Sequence, residues 1–184
     1  MIYHKQNKAI ICDVDGVILN PERRKNRFLQ EGGVYEDYII GGEGDEIIQL
    51  GVDLLESQLR EEHELFYLTG RSLHHAKSLL QFMEDGEIPK GQLIFMHLPR
   101  KKSIHQNQEY SDYFSFKSSW VSSINKMYTI DLIIEDSFEV IEAMKAGNQT
   151  IPDQVFYHFT SGIGDHKENF DKLCEKLTEA NNNQ

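Results

Sequence analysis

Five short apolar runs alternate with segments of helical spacing along this chain. The runs are 9–13 (AIICD), 65–69 (LFYLT), 92–97 (QLIFMH), 130–135 (IDLIIE) and 155–159 (VFYHF). They are nearly continuous in apolar character rather than alternating, which is the pattern of strands buried on both faces of a parallel sheet. Between them, 45–62, 72–83, 118–126 and 138–146 have helical spacing, and 167–180 adds a closing helix. Strands alternating with helices predict an α/β architecture, a Rossmann-like doubly wound parallel sheet. Two stretches fit neither pattern. Residues 20–44, with GGEG at 41–44, predict a small cap or flap inserted after the first strand, and 98–115 predict a loop insertion. Both follow the carboxyl ends of strands, where ligand-binding loops of parallel sheets gather. The tail 181–184 is polar.

A length of 184 residues predicts a single domain. A chain of that size buries about 70% of its unfolded surface and needs no disulfide or structural metal to fold. The net charge of −11 excludes a broadly cationic nucleic-acid coat protein. A local anion site stays open, because seven of the 19 basic residues fall in two clusters, Arg23, Arg24, Lys25 and Arg27, then Arg100, Lys101 and Lys102. Cys12 and Cys174, far apart in unlike surroundings, do not suggest a disulfide framework. No apolar run approaches the roughly 20 residues that span a bilayer. Residues 1–8 lack the apolar stretch of a signal peptide. The expected location is therefore cytoplasmic, without membrane contact.

The candidate chemistry lies where the strands end. Asp13 and Asp15 follow the first run two residues apart, so on an extended segment both side chains project the same way. Two carboxylates that close repel unless a cation neutralises them. A hard divalent ion bound through oxygen removes the conflict, and Gly16 allows the tight turn that follows. Glu135 and Asp136 close a second strongly apolar run. Adjacent strands would bring these acids to one edge, and Mg²⁺ suits such a site because it takes a few carboxylates plus water and phosphate oxygens. Thr69, Gly70 and Arg71 end the second run ahead of a helix and form a candidate anion cradle. Lys117, placed just before the helix expected at 118–126, is a candidate to balance phosphoryl charge at the same edge. Outside this group, His74 and His75 read as helix surface, and Trp120, Val121 and Ile124 as core.

The order DVDGV, LFYLTGR, Lys117 and LIIEDS resembles the four signature motifs of the haloacid dehalogenase (HAD) superfamily, over about three quarters of the chain. The resemblance implies that Asp13 is a nucleophile forming an aspartyl-phosphate, and that Asp15 is the general acid and base whose carbonyl also helps hold Mg²⁺. It further implies that Thr69 and Lys117 hold phosphoryl oxygens, that Asp136 binds the metal directly and that Glu135 acts through water. An acid at position 15 is the mark of phosphoryl transfer in that superfamily. Val17 stands where many relatives carry Thr.

Among HAD proteins the chain looks most like the 3′-phosphatase domains of polynucleotide kinases and small nucleotidase-like members. The short segment 20–44 implies an open site that admits a nucleotide or polynucleotide-end phosphate. Gly70, Arg71, Arg100 and Lys101 are then candidate substrate contacts, with Tyr110 or Tyr113 available to stack on a base. The alternatives are a small-metabolite phosphatase, a 5′-nucleotidase, or a catalytically silent module that binds a phosphorylated ligand. The oligomeric state is not legible.

Overall fold

The computed structural model describes residues 7–29, 45–71, 73–96 and 106–160. In chain order the strands are β1 (Lys8–Asp13), β2 (Leu19–Asn20), β3 (Glu46–Ile47), β4 (His63–Thr69), β5 (Gln92–Phe95), β6 (Thr129–Glu135) and β7 (Phe156–His158). The helices are α1 (Glu22–Leu29), α2 (Gln49–Gln58), α3 (Ala76–Asp85), α4 (Gln106–Met127) and α5 (Phe138–Gly147). Five strands make one parallel sheet in the order β5-β4-β1-β6-β7. β2 and β3 form a separate antiparallel pair.

The continuous apolar runs follow from burial of the sheet on both faces. Along β1, Ile10 and Cys12 join a core built with Val52 and Leu55 of α2 and Leu79 and Met83 of α3. The alternate residues Ala9 and Ile11 face Val121 and Ile124 of α4 and Val140, Ile141 and Met144 of α5. The doubly wound parallel sheet expected from the sequence is the observed fold. No helix among the described residues is long and apolar enough to cross a membrane.

The helices depart from expectation more than the strands do. The helix expected at 45–62 is shorter, because Glu46 and Ile47 pair with Asn20 and Leu19 across the neck of the insertion. The expected loop 98–115 is corrected from Gln106 onward, where α4 has already begun. Its first turns read QNQEYSD and carry no apolar periodicity, yet Gln and Glu are good helix formers. Lys117 therefore sits inside a helix rather than before one. Trp120 is 40% exposed, while its expected companions Val121 and Ile124 are buried. His75 is buried at a short 3₁₀ turn, Leu73–His75, not on a helix surface. The cap residues 30–44, the basic cluster Arg100 to Lys102 and the closing helix 167–180 lie outside the described residues.

α2 lies close to the loop after β1. A Cβ on Gly51 would collide with the backbone carbonyl oxygen of Val17, which cannot swing aside. Gly51→Ala is expected to destabilise the fold by about 1–3 kcal/mol through overpacking, read as a lower urea midpoint at unchanged slope.

Candidate active site

β1 and β6 are neighbours, and Cys12 is level with Ile134, so Asp13 and Glu135 emerge side by side at the carboxyl edge. Chain order reverses on either side of β1, and crevices that receive ligands open at such switch points. Asp13 and Glu135 are buried, 4% and 1% exposed, and Asp136 follows at the rim. One carboxylate oxygen from each of the three lies within 4.8 Å of the other two. Lys117 reaches them from α4 and is itself 1% exposed. Its ammonium donates to Asp13 Oδ1 at 2.6 Å, to Glu135 Oε2 at 3.0 Å and to the Leu68 carbonyl at 2.7 Å, which uses all three N–H groups.

The charges within this cluster do not balance. Burial works against the Lys117 charge, but Asp13 and Glu135 outweigh it and hold the ammonium firmly protonated. One ammonium cannot neutralise two carboxylates. Burial, then the Glu135 charge, pushes Asp13 from its ordinary 3.8 up to about 8. Burial, with Asp136 adding to it, pushes Glu135 from 4.5 up to about 7 against the pull of Lys117. The donors are all hard oxygens and carry more negative charge than Lys117 answers, so the residues fit a divalent cation of the Mg²⁺ kind.

Gly16 shapes the rim of this cluster. Its φ of +89° lies in the left-handed region, and a Cβ there would strike the Asp136 carboxylate. Its N–H donates to the Leu19 carbonyl at 2.7 Å, closing the loop after β1. Ser137 caps α5 by accepting from the Val140 N–H at 3.4 Å, and so sets where Asp136 leaves the strand.

Asp15 is placed differently from expectation. Its carboxylate is not part of the three-acid cluster. Asp15 Oδ1 accepts from Arg24 and from Arg71, each at 2.6 Å, and Oδ2 accepts from Arg71 Nε at 2.9 Å. Lys117 on one side and two guanidiniums on the other offset the repulsion expected between Asp13 and Asp15, although the Asp15 charge still helps to raise Asp13. Asp45 completes the arrangement, accepting from Arg24 Nε at 2.8 and 2.9 Å and from Arg71 at 2.5 Å. Arg24 is 5% exposed, so it is not a solvated loop charge. Neither Arg24 nor Asp45 was singled out from the sequence as part of this group. The weak signal available was an arginine shortly after a strand-end acid and a lone acid ahead of an apolar segment.

The remaining candidates divide. Thr69 is fully buried, and its hydroxyl accepts the Arg71 N–H at 3.1 Å. The expected helix start at residue 72 moves to Ala76 after the 3₁₀ turn, so the cradle formed by Thr69, Gly70 and Arg71 is a strand-end loop. Arg71 is committed to Asp15 and Asp45 rather than standing open to an anion. Tyr113 lies against Gly70, where a Cβ would come within 3.0 Å of its ring, and the Lys117 ammonium sits 5.4 Å from the ring centroid. Arg100 and Lys101 lie outside the described residues.

No protein-family model matches the sequence, and no curated protein matches it. Among solved structures it is similar to a chain of the Pnkp1/Rnl/Hen1 RNA repair complex, with TM-score 0.60 and 15% identity over 84% of this chain and 43% of that one. A second structure of that complex gives TM-score 0.56 and 15% identity over 87% and 50%. The HAD domain of the effector protein Lem4 from Legionella pneumophila gives TM-score 0.47 and 16% identity over 95% and 96%. The fold is a Rossmann-like doubly wound parallel sheet. The likeness is one of fold, and this chain spans less than half of the RNA repair chain it matches.

Where the folded protein keeps protons that the unfolded chain releases, stability falls as pH rises. For the cation-free protein that decline runs from the ordinary carboxylate value of 3.8 to about 8, the range over which Asp13 stays protonated only when folded. Mg²⁺ competes with those protons, so millimolar Mg²⁺ is expected to raise the melting temperature more at about pH 8 than at about pH 5. Thermal melts at the two values, with and without the ion, check this; equal shifts would contradict it.

Proposed function

We propose that this protein is a Mg²⁺-dependent phosphatase of the HAD type, hydrolysing a phosphomonoester through an aspartyl-phosphate on Asp13. The observation that carries the reading is Lys117, buried and 2.6 Å from Asp13, with Glu135 and Asp136 gathered around the same carboxylate. A buried acid held by an ammonium beside two further acids suits a nucleophile that must meet an anionic ester.

In this reading an Asp13 carboxylate oxygen attacks phosphorus in line, and the bond from phosphorus to the ester oxygen breaks. Asp15 gives its proton to the departing oxygen. Asp15 then takes a proton from water, whose oxygen attacks the same phosphorus, releasing inorganic phosphate and restoring the Asp13 carboxylate. Lys117 orients Asp13 and answers charge on the phosphoryl oxygens, and the Thr69 to Arg71 loop borders them. Asp13 and Asp136, with Glu135 behind them, would hold Mg²⁺, which supplies charge neutralisation to the phosphoryl group when bound.

The favoured substrate is a nucleotide or a polynucleotide 3′-end phosphate, a reading supported by the motif pattern and by the fold shared with a chain from an RNA repair complex. A metabolite phosphatase or 5′-nucleotidase would have no use for the basic cluster Arg100 to Lys102. Reversing those charges is expected to weaken turnover of a 3′-phosphorylated oligonucleotide, with strong salt dependence, far more than turnover of a small ester. Equal effects on the two would favour the small-molecule reading.

A silent phospho-ligand binding module draws on one observation, the engagement of Asp15 by two arginines. Ligand-dependent melting shifts without turnover on a panel of phosphoesters would support it. For the phosphatase, Asp13→Asn preserves shape but removes the nucleophile. Phosphate release is expected to fall below about one-thousandth of wild type, and EDTA to abolish it reversibly. Undiminished turnover by Asp13→Asn would refute the mechanism.

A further inference from the structure

Resting on the phosphatase reading, we infer that Asp45 is a positioning residue which acts through Arg24 and Arg71 to set the direction of the Asp15 carboxyl. The Asp45 side chain is completely buried and accepts hydrogen bonds from both arginines. It belongs neither to the three-acid cluster nor to any contact with Asp13 among those described. Each arginine spans the gap with its rigid fork. Arg24 places Nε on Asp45 and Nη2 on Asp15, while Arg71 places Nη2 on both acids and Nε on Asp15.

A planar guanidinium fixed at one edge has its other edge fixed in direction as well, which an ammonium cannot do. Three separate parts of the chain supply the arrangement: Arg24 from α1, Asp45 just ahead of β3 and Arg71 just after β4. Among the described residues the two arginines are engaged by these two acids. Burying such a group adds little to stability, because desolvation offsets the attraction. What the network supplies is a direction for Asp15, whose proton must reach the leaving oxygen.

The test compares an alkyl phosphomonoester, a nucleoside 3′-monophosphate, with the activated aryl ester p-nitrophenyl phosphate, whose departure needs little protonation. Asp45→Asn is expected to lower the ratio of alkyl to aryl kcat about tenfold to a hundredfold, within the reach of general acid catalysis, with KM for the alkyl ester little changed. Arg24→Lys keeps the charge and loses the fork, and is expected to lower the same ratio. It decides the question should Asp45→Asn show no cooperative melt. An unchanged ratio, with both esters losing kcat equally or neither losing any, would reduce Asp45 to a structural prop and overturn the inference. A wild-type protein that turns over neither these esters nor a 3′-phosphorylated oligonucleotide would remove the phosphatase reading and this inference together.

Discussion

The buried ammonium of Lys117 is the interaction on which the site depends. Moving a lysine charge out of water is costly, and it is tolerated here because three acceptors meet its three N–H groups at 2.6 to 3.0 Å. Those acceptors come from three adjacent strands: Asp13 of β1, Leu68 of β4 and Glu135 of β6. The ammonium thus ties together the carboxyl ends of the three central strands. It also lets two acids lie in a place where neither would stay ionised alone, and where the remaining negative charge invites a cation.

A second charged group beside it works by different means. Around Lys117 a compact charge sits among acids that outnumber it. Around Asp15, among the described residues, two guanidiniums meet two carboxylates in a shared network. The first group is electrostatically open and suited to a metal and an anionic ester. The second, held by rigid guanidinium forks, is suited to holding a geometry. The loop turned by Gly16 separates them, so residues two apart in sequence serve opposite electrostatic purposes.

The three central strands were legible because burial on both faces leaves an almost uninterrupted apolar run, and the two edge runs also lie in the sheet although β5 and β7 are partly exposed. The acids at their ends were legible for the same reason, since an ionisable residue after such a run has to emerge at an edge. The start of α4 was not, because QNQEYSD offers no apolar stripe and its helical preference is spread thinly over polar residues. The sequence therefore puts Lys117 before a helix and at the same strand edge, while its bonds to Asp13, Glu135 and the Leu68 carbonyl are visible only in the fold. Arg24 is legible only as a member of a basic cluster and Asp45 only as the start of an expected helix; their pairing is not, because partners separated by an insertion leave no periodic trace. An arginine read in isolation is a surface charge, and only the folded chain reveals that Arg24 is 5% exposed.

The sheet order carries a consequence for synthesis. β1 emerges early from the ribosome, yet the neighbours that complete its carboxyl end arrive from far downstream, Lys117 being 104 residues beyond Asp13 and Glu135 later still. A nascent chain that stops at β4 possesses the acid but neither its ammonium nor its companion acids. Parallel strands brought together over such separations assemble late, after the long connections have closed. The cluster is therefore complete only once the chain has been made through Asp136, however early its first acid is in place.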